Sequence, residues 1–324
     1  MTIYHYINEV DFNVNRAIAV GGFDGIHLGH QKLIDVLFTQ AKINSLKTLI
    51  VTFDPLPKTF FNNVGATKTN YCPPSILTTT KEKIDILAKK NIDELLIIKF
   101  NEEFSKLSPY AFLELLLDKI GFKVYVMGEN HTFGHNRKGN IDFLKEKYNN
   151  KFNIIKVSHH TKNDNIVSTT LIKKLLTTEN IEYINNFLSY NYFFISKVIS
   201  GNKIGRKLGF PTANIMIPIN KIVPKNGVYL VQIELCNIIN EKKYWGIANI
   251  GTRPTIENFD NTEQHLEVHI FDFSEDIYDV EVRISFLKYI RAEQKFNNTN
   301  ELAEQISKDI HLCNLLIKEK TGNI

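Results

Sequence analysis

Residues 16–30 read RAIAVGGFDGIHLGH, and this stretch decides the fold of the first half of the chain. Arg16–Gly21 is a short apolar run typical of a buried strand, and the glycines after it mark a tight turn. The apolar residues that follow repeat at helical spacing: Leu33, Ile34, Leu37, Phe38 and Ala41. A strand that turns into a helix in this way is the opening unit of a parallel sheet covered by helices.

The same alternation of apolar runs and helical patterns continues to about Ser158. Its further strand-like runs are Thr48–Phe53, Glu94–Phe100, Lys123–Gly128 and Asn153–Ser158. Ser108-Pro109 opens a predicted helix that Gly121 can close. We therefore predict a parallel sheet with helices on its faces, in which ligands bind beyond the carboxyl ends of the strands.

After about Asn185, strand-like runs follow one another with no helix between them. They are Tyr192–Val198, Val228–Leu235, Tyr244–Ile250, Leu266–Phe273 and Val280–Phe286. This pattern predicts an antiparallel barrel or sandwich. A last apolar stripe predicts one helix packed on it: Leu302, Ile306, Ile310, Cys313 and Leu316. We expect two domains, residues 1–185 and residues 186–324.

The amino-acid composition limits the classes of protein to which this chain could belong. Hydrophobic residues make up 43% of the 324 residues and charged residues 23%, which is globular composition and argues against a disordered chain or a membrane protein. A net charge of +4 suits small anionic ligands and does not call for nucleic acid. The scattered cysteines Cys72, Cys236 and Cys313 argue against disulfides and zinc, and Met1–Val10 lacks a targeting pattern, so we expect a cytoplasmic protein.

Two histidines mark the glycine turn of the first strand. Glycines at a strand-to-helix turn let backbone N–H groups approach a phosphate, and the helix N-terminus favours an anion. His27 and His30 could hydrogen-bond phosphate oxygens as charge develops during transfer. A lone histidine beside a glycine turn is more often a surface residue. Two of them at the ligand-binding edge of the sheet predict a site for phosphoryl or nucleotidyl transfer.

A second phosphate site is predicted by residues 201–214, GNKIGRKLGFPTAN. Two glycines and three cations within seven residues suit a loop that embraces phosphates. Thr212 and Asn214 carry hard oxygen atoms two residues apart, so in an extended chain they face the same way and could hold Mg²⁺ against ATP. Taken alone, the same residues could form a turn that leads into a strand.

These segments resemble a known family. His27-Leu28-Gly29-His30 resembles the HxGH motif of the nucleotidyltransferase superfamily, and Phe23–Gln31 is similar to the bacterial bifunctional riboflavin kinase/FAD synthetases. Residues 205–214 match the riboflavin kinase motif without a gap. The resemblance extends from about residue 16 to the C-terminal helix. It implies a nucleotidyltransferase-like, Rossmann-like α/β domain followed by an antiparallel β-barrel riboflavin kinase domain with a C-terminal helix.

The resemblance also implies two reactions. The barrel would phosphorylate riboflavin to FMN, and the parallel-sheet domain would adenylylate FMN to FAD with release of pyrophosphate. ATP would be the co-substrate of both reactions and Mg²⁺ the cofactor. Riboflavin, FMN and FAD would be the other ligands, with neither nucleic acid nor a membrane as partner.

Site residues of the first domain follow from the same resemblance. His27 and His30 would be catalytic. ATP would contact Gly22, Phe23, Asp24, His27, Gly29, His30, Ser168, Thr169, Thr170 and Lys173. The flavin would contact Asn130, Phe133 and Arg137. Ser168–Thr170 precedes a helical pattern, so its hydroxyl and N–H groups lie at a helix start, where a simple N-cap would need just one of the three residues.

In the second domain the resemblance assigns the catalytic carboxylate to Glu267. Transfer to a primary alcohol needs a base, and a carboxylate on a rigid strand beside Mg²⁺ can accept the proton. Leu266 and Val268 point to the opposite face of that strand and are expected in the core. ATP would contact Gly201, Arg206, Thr212 and Asn214, with Thr212 and Asn214 as Mg²⁺ ligands, and the flavin would contact Arg291 and Phe296.

Four positions depart from the family pattern, which has Asn, His, Asp and Arg where this chain has Gly22, Leu56, Asn130 and Lys173. Each departure removes or weakens a polar contact. One alternative is therefore a riboflavin kinase only, with a degenerate N-terminal module that binds a flavin nucleotide. Another is a nucleotidyltransferase that acts on a different phosphate ester.

Overall fold

The computed structural model describes residues 1–65, 76–201, 204–236, 242–255 and 258–322. The chain divides into two compact units, Met1–Leu171 and Ile172–Ile324. This division comes earlier in the chain than the expected domain boundary between residues 185 and 186. None of the helices in the described part of the chain combines the length and apolar character that a membrane span requires.

The first unit is built on a six-stranded sheet in which every neighbouring pair is parallel. Its strands are β1 (Thr2–Tyr4), β2 (Arg16–Val20), β3 (Lys47–Asp54), β4 (Glu94–Lys99), β5 (Val124–Gly128) and β6 (Asn153–Val157). Their order across the sheet is β1-β4-β3-β2-β5-β6. The predicted parallel sheet is confirmed, and β1 is an additional edge strand that the sequence pattern did not indicate.

Helices connect these strands as the apolar spacing predicts. They are α1 (Leu28–Ile43), α2 (Pro57–Gly65), α3 (Thr80–Ala88), α4 (Glu102–Ser105), α5 (Pro109–Lys119) and α6 (Ile141–Tyr148), and α7 (Thr169–Thr178) follows the sheet and spans the boundary at Leu171. The hydroxyl of Ser108 accepts a hydrogen bond from Ala111 N at 3.1 Å, so α5 begins where predicted. Two short strands, β7 (Thr161–Lys162) and β8 (Asn165–Ile166), form a separate antiparallel pair before α7.

The core of the first unit lies on both faces of the central strands. All five residues of β2 are buried, and so are Thr48–Phe53 of β3. Strands buried on both faces are expected when helices cover both sides of a parallel sheet. The burial leaves the carboxyl ends of the strands, where the turns begin, as the accessible edge of the sheet.

One ion pair is buried at the opposite edge. Arg16, at the start of β2, is fully buried, and its Nε lies 2.5 Å from Oε2 of Glu94 at the start of β4. Its Nη1 donates to the carbonyl oxygens of Asp11, Val14 and Ile120 at 2.7–2.9 Å. Because these acceptors satisfy the guanidinium, Arg16 joins the ends of several segments without leaving an unpaired charge.

The second unit contains a closed six-stranded barrel. Of the two predicted architectures, barrel and sandwich, the barrel is therefore confirmed. Its strands are β9 (Phe193–Ile199), β10 (Ala213–Ile215), β11 (Gly227–Leu235), β12 (Lys243–Thr255), β13 (Asn258–Ile270) and β14 (Glu281–Arg291). Around the barrel they follow the order β10-β13-β12-β11-β14-β9, and all pairs are antiparallel. In the described part of the chain three helices lie wholly within this unit: α8 (Ile181–Leu188), α9 (Ile204–Lys207) and α10 (Thr299–Thr321).

The C-terminal helix packs on the barrel as its apolar stripe predicts. Buried Cys313 of α10 belongs to the same apolar cluster as Val228 and Leu230 of β11 and Ile247 of β12. The neighbouring Ile310 and Leu316 of α10 pack against that cluster. On β13, Leu266 and Val268 are each 1% exposed, which confirms them as core residues on the face opposite to Glu267.

Replacing Glu94 with Leu should strongly destabilise the first unit. The change leaves the Arg16 guanidinium buried without its carboxylate, which costs about 3–5 kcal/mol for a buried pair. Urea unfolding followed by circular dichroism would measure the loss. Lys106→Met, which breaks the exposed pair between Lys106 and Glu102, is the matched control and should have little effect. Equal stability of the two variants would contradict the role given to Arg16.

Candidate functional site

His27 and His30 are stacked at the turn that follows β2. His27 is the N-cap residue of α1 and is 5% exposed, and the two ring centroids lie 3.9 Å apart with an interplanar angle of 22°. Nδ1 of each ring is buried and has no hydrogen-bond partner in the described part of the chain. The structure therefore brings together both predicted catalytic histidines, with one buried ring nitrogen of each unpaired among the described residues.

Both rings are held in the neutral form. Burial lowers the pKa of His27 to about 4, against the opposing effect of the Asp24 carboxylate. Burial, together with the charges of His27, Lys83 and His131, brings the pKa of His30 well below its usual value. A neutral imidazole has one N–H donor and one acceptor nitrogen, so the pair can still donate to a phosphate at neutral pH.

Asp24 anchors the turn to the segment before α3. Its Oδ1 accepts hydrogen bonds from the N–H groups of Leu77 at 2.7 Å and Thr78 at 3.0 Å. Phe23 and Ile26 have φ angles of 45° and 38°, a left-handed conformation that is uncommon for such residues. The surrounding contacts thus hold the turn in a conformation that the chain alone does not favour.

A buried lysine lies under the same turn, and the sequence analysis missed it. Lys83 of α3 is 2% exposed, and its Nζ donates to the carbonyl oxygen of Gly22 at 2.8 Å and to Thr52 Oγ1 at 3.0 Å. Burial lowers the pKa of Lys83 to about 8, opposed by the Asp24 and Asp54 carboxylates. An ammonium group therefore lies directly behind the glycine turn at neutral pH.

The segment Ser168–Thr170 meets the turn from the other side. Ser168 Oγ accepts from Leu171 N at 3.3 Å, as an ordinary N-cap would. Thr169 Oγ1 donates to the carbonyl oxygen of Asp24 at 3.0 Å, so the start of α7 is fixed to the glycine turn. Thr170 is exposed, and Lys173 follows one turn further along the same helix.

The three residues of this unit that are predicted to contact the flavin lie in different environments. Asn130 follows β5, and its Nδ2 lies 2.8 Å from Nε2 of His159, just after β6. Phe133 is 7% exposed and packs in the hydrophobic core. Arg137 is exposed on a short turn. Only Asn130 therefore lies at the carboxyl edge of the sheet with an accessible polar group.

His131, which the sequence analysis gave no role, adds a third imidazole near the stacked pair. Its Nε2 is buried without a hydrogen-bond partner in the described residues, and burial lowers the pKa of the ring to about 4. A positive charge on His131 would lower the pKa of His30, so the two rings are close enough to interact electrostatically. Neither the spacing nor the motif of the loop signals this residue, because its burial depends on how the loop folds.

In the second unit a cavity of about 370 Å³ lies beside the barrel. Five of the residues predicted for the kinase site line it: Thr212, Asn214, Glu267, Arg291 and Phe296. Asn214 of β10 pairs directly with Glu267 of β13, which pairs with Asn249 of β12. Because directly paired residues point to the same face, the register forms a polar row of Asn214, Glu267 and Asn249 across three strands.

Asn249 begins a segment that fits the family's order, but nothing in the sequence assigned this residue a role. An asparagine on an alternating strand has no distinguishing signal, and its place beside Glu267 follows from the pairing of β12 with β13. The amides on both sides leave the Glu267 carboxylate between two polar neighbours that can donate hydrogen bonds.

The oxygen donors of Thr212 and Asn214 fit Mg²⁺ bound together with phosphates. A Cβ on Gly201 would come within 2.0 Å of Asn214 Nδ2, and one on Gly205 within 3.2 Å of Thr212 Oγ1, so glycine backbone lies close to both side chains. No group of three or more His, Cys, Asp or Glu side chains in the described ranges could hold a metal. A site with few protein donors suits Mg²⁺, which keeps water and phosphate ligands.

Arg206 is exposed on α9 and lines a second, smaller cavity of about 270 Å³. Thr212 borders both cavities, so Arg206 and the predicted Mg²⁺ ligands lie on adjoining surfaces. Asn202 and Lys203, which belong to the predicted phosphate loop, lie outside the described residues.

Arg291 has a structural partner in addition to its place in the larger cavity. Its guanidinium donates to both carboxylate oxygens of Asp309 on α10 at 2.7–3.0 Å, and Gln305 donates to the same carboxylate at 2.8 Å. Asp309 is 4% exposed, so this is a buried, bidentate pair. The guanidinium also lies 6.0 Å from the ring of Phe296. The pair joins α10 to β14 where the helix forms a wall of the cavity.

Two protein-family profiles match the chain. The profile described as FAD synthetase matches residues 10–171, and the profile described as Riboflavin kinase matches residues 188–317. The two matches fall in the two compact units, one containing the histidine pair and the other containing the polar row.

Curated relatives match over nearly the whole chain. A protein of Buchnera aphidicola named bifunctional riboflavin kinase/FMN adenylyltransferase is 41% identical over 94% of this chain and 95% of its own length. A protein of Bacillus subtilis with the same name is 34% identical over 94% of this chain and 93% of its own length.

A solved structure from Streptococcus pneumoniae has the same fold. It is described as a macrolide-efflux protein, has a TM-score of 0.84 and 27% sequence identity, and the match covers 97% of this chain and 99% of that one. Its description concerns a transport process for which the site residues above offer no chemistry.

Replacing His131 with Phe should make the chain less sensitive to acid. An unfolded histidine takes up a proton below about pH 6.5, whereas folded His131 does so only near pH 4. Between these values the wild type therefore loses more stability than the variant, by about 2 kcal/mol at about pH 5, while the contributions of His27 and His30 are common to both proteins. Urea unfolding at about pH 7 and 5 measures the effect, and a difference between the two proteins that is the same at both pH values would contradict it.

Proposed function

The chain belongs to the bifunctional riboflavin kinase/FMN adenylyltransferase family, and on that premise we propose that it converts riboflavin to FMN and FMN to FAD with ATP. The observation that carries the kinase reaction is the polar row of Asn214, Glu267 and Asn249 beside the 370 Å³ cavity. The stacked, neutral pair of His27 and His30 carries the adenylyl transfer.

In the kinase reaction Glu267 acts as the general base. The primary hydroxyl of the ribityl chain loses its proton to the Glu267 carboxylate while its oxygen attacks the γ-phosphorus of ATP, and the bond to the ADP oxygen breaks. Asn214 and Asn249 flank Glu267 on the two paired strands and place a polar side chain on each side of the carboxylate. Mg²⁺ bound with ATP would be held by Thr212 and Asn214 and would neutralise charge on the phosphates.

The flavin occupies the apolar part of the same cavity. Phe296 and the α10 residues Leu302 and Ile306 line it and offer apolar surface to a planar ring system. Arg291, fixed by Asp309, supplies a positioned cation at the rim. Gly201 and Arg206 belong to the loop that we assign to the ATP phosphates, on the side of Thr212.

In the adenylyl transfer no protein nucleophile is needed. A phosphate oxygen of FMN attacks the α-phosphorus of ATP, and the bond to pyrophosphate breaks without a net proton transfer. His27 and His30 donate hydrogen bonds to the phosphate oxygens, whose charge is also favoured by the N-terminus of α1. We assign Gly22–Asp24, Gly29, Ser168–Thr170 and Lys173 to the triphosphate contacts and Asn130, Phe133 and Arg137 to the flavin contacts, of which Asn130 has the accessible polar group.

We assign adenylyl transfer to residues 1–185 and the kinase to residues 186–324. The catalytic groups of each reaction lie within one compact unit, which supports the assignment. We also propose a cytoplasmic location, because the cysteines are few and scattered along the sequence, as is common in proteins of a reducing compartment.

One observation favours a kinase-only alternative. A Cβ on Gly22 would lie 3.4 Å from Leu56 Cδ2, so two of the positions that depart from the family pattern are neighbours at the nucleotide edge. Apolar contact there replaces polar contact and would weaken ATP binding. Incubating the purified chain with FMN, ATP and Mg²⁺ separates the two functions, because a kinase-only protein forms FMN from riboflavin and no FAD.

Replacing Glu267 with Gln should abolish FMN formation and spare FAD formation. The amide cannot accept the hydroxyl proton, and loss of a general base costs about 10²–10⁴-fold in kcat. Glu234→Gln, on β11 in a pair with Lys243 at 3.3 Å, is the matched control and should keep both rates. Both products are followed by chromatography, and a Glu267→Gln protein with normal FMN formation would remove Glu267 from the mechanism.

Replacing Gly29 with Ala should slow FAD formation by about tenfold and leave FMN formation unchanged. The added methyl would lie 3.1 Å from the His27 ring and 3.2 Å from the Val167 carbonyl oxygen, so the ring has to move. Gly128→Ala, where the methyl meets no described atom within 4 Å, is the control. If both alanine variants form FAD at the wild-type rate, the position of His27 is not critical.

A further inference from the structure

Lys83 lies on the buried, apolar face of α3, which is an unusual position for a lysine. It shares one face of α3 with Ile86 and Leu87, which are 6% and 0% exposed, and is itself 2% exposed. Both hydrogen-bond acceptors of its ammonium group are neutral oxygens, those of Gly22 and Thr52. Burying a charge against neutral acceptors is costly, and an apolar residue would fill the same place on this face without that cost.

The Gly22 carbonyl is held by two donors at once. Lys83 Nζ lies 2.8 Å from it, and Thr52 Oγ1 donates to it from 3.2 Å. In a trans peptide the carbonyl and the following N–H point in opposite directions, so fixing the Gly22 carbonyl also fixes the N–H of Phe23. That N–H faces away from Lys83 and has no acceptor among the described residues.

The groups around Lys83 come from three elements. Asp24 lies in the glycine turn and Asp54 at the end of β3, and both carboxylates favour the charged ammonium. His30 of α1 is also within electrostatic reach, and the positive charge of Lys83 disfavours its protonation. A charged Lys83 therefore acts on the turn through a hydrogen bond and on the histidine pair through its field.

We propose that Lys83 is a positioning residue for adenylyl transfer, which holds the Gly22–Phe23 peptide so that the Phe23 N–H meets a phosphate oxygen of ATP. The proposal rests on the FAD-forming activity proposed above. An oriented backbone N–H costs no reorganisation during the reaction, and it stabilises charge on the phosphates where that charge develops.

The wild-type pH profile is the first test. The ammonium is present below the pKa of about 8 and is lost above it, so kcat/KM for ATP in FAD formation should fall above about pH 8. The rate of FMN formation by the same chain, in the same buffers with the same ATP and Mg²⁺, serves as the reference. A decline common to both reactions comes from the shared substrate and contradicts the assignment to Lys83, as does a flat FAD profile.

Lys83→Gln is the decisive variant, because it keeps an N–H donor and removes the charge. We expect about a tenfold loss of kcat/KM for FAD formation at about pH 7, no decline above about pH 8, and unchanged FMN formation. Lys89→Met is the control, since exposed Lys89 lies at the end of the same helix and its Nζ donates to the Asp85 carboxylate at 3.1 Å and not to the turn. It should keep both the rate and the pH decline.

The outcomes separate the inference from the function on which it rests. A wild type that makes no FAD contradicts the proposed function and the inference together. A wild type that makes FAD, with Lys83→Gln within about threefold of its rate or with the same pH decline, contradicts only the inference. If Lys83→Gln does not fold, the wild-type profile measured against FMN formation still decides.

Discussion

The pairing register between strands is the constraint on which the chemistry of this protein depends. In the barrel, Asn214, Glu267 and Asn249 come from three separate strands and meet only because β13 pairs residue for residue with β10 and β12. A slip of one residue would send Glu267 into the core and bring Leu266 or Val268 to the cavity. Closure of the barrel fixes this register, because no edge strand is left to slide.

In the first unit, the tertiary contacts of one short turn bring the site residues together. Its backbone adopts left-handed conformations at Phe23 and Ile26, and side chains from neighbouring segments hold it: Asp24 to the segment before α3, Thr169 from α7 and Lys83 from α3. The buried, neutral imidazoles above it avoid the desolvation cost that charged rings would carry. These contacts position the turn before any ligand arrives, and charge stabilisation without a protein nucleophile requires groups that are positioned in advance.

The sequence predicted the layer architecture, the strand runs of both units and the C-terminal helix, since period-2 and helical apolar spacing depend on neighbouring residues alone. It also indicated that His27 and His30 act together, because their spacing puts them in one turn. It could not indicate the roles of Asn249 and Lys83. The first depends on strand register, and the second is a lysine on the apolar face of α3, beside Ile86 and Leu87, whose meaning appears only when the acceptor at Gly22 is known.

The ion pair between Arg291 and Asp309 fixes α10, the last helix of the chain, as a wall of the 370 Å³ cavity. Since Leu302, Ile306 and Asp309 of α10 all line the cavity, a chain shortened before Asp309 would lose the ion pair with Arg291, and one shortened before Leu302 would lose the apolar lining of the helix as well. The last turns, beyond Leu316, contribute no lining residue. A fusion partner attached after Gly322 would therefore be tolerated. A truncation that removes Leu302 and Ile306 would instead open the cavity to water.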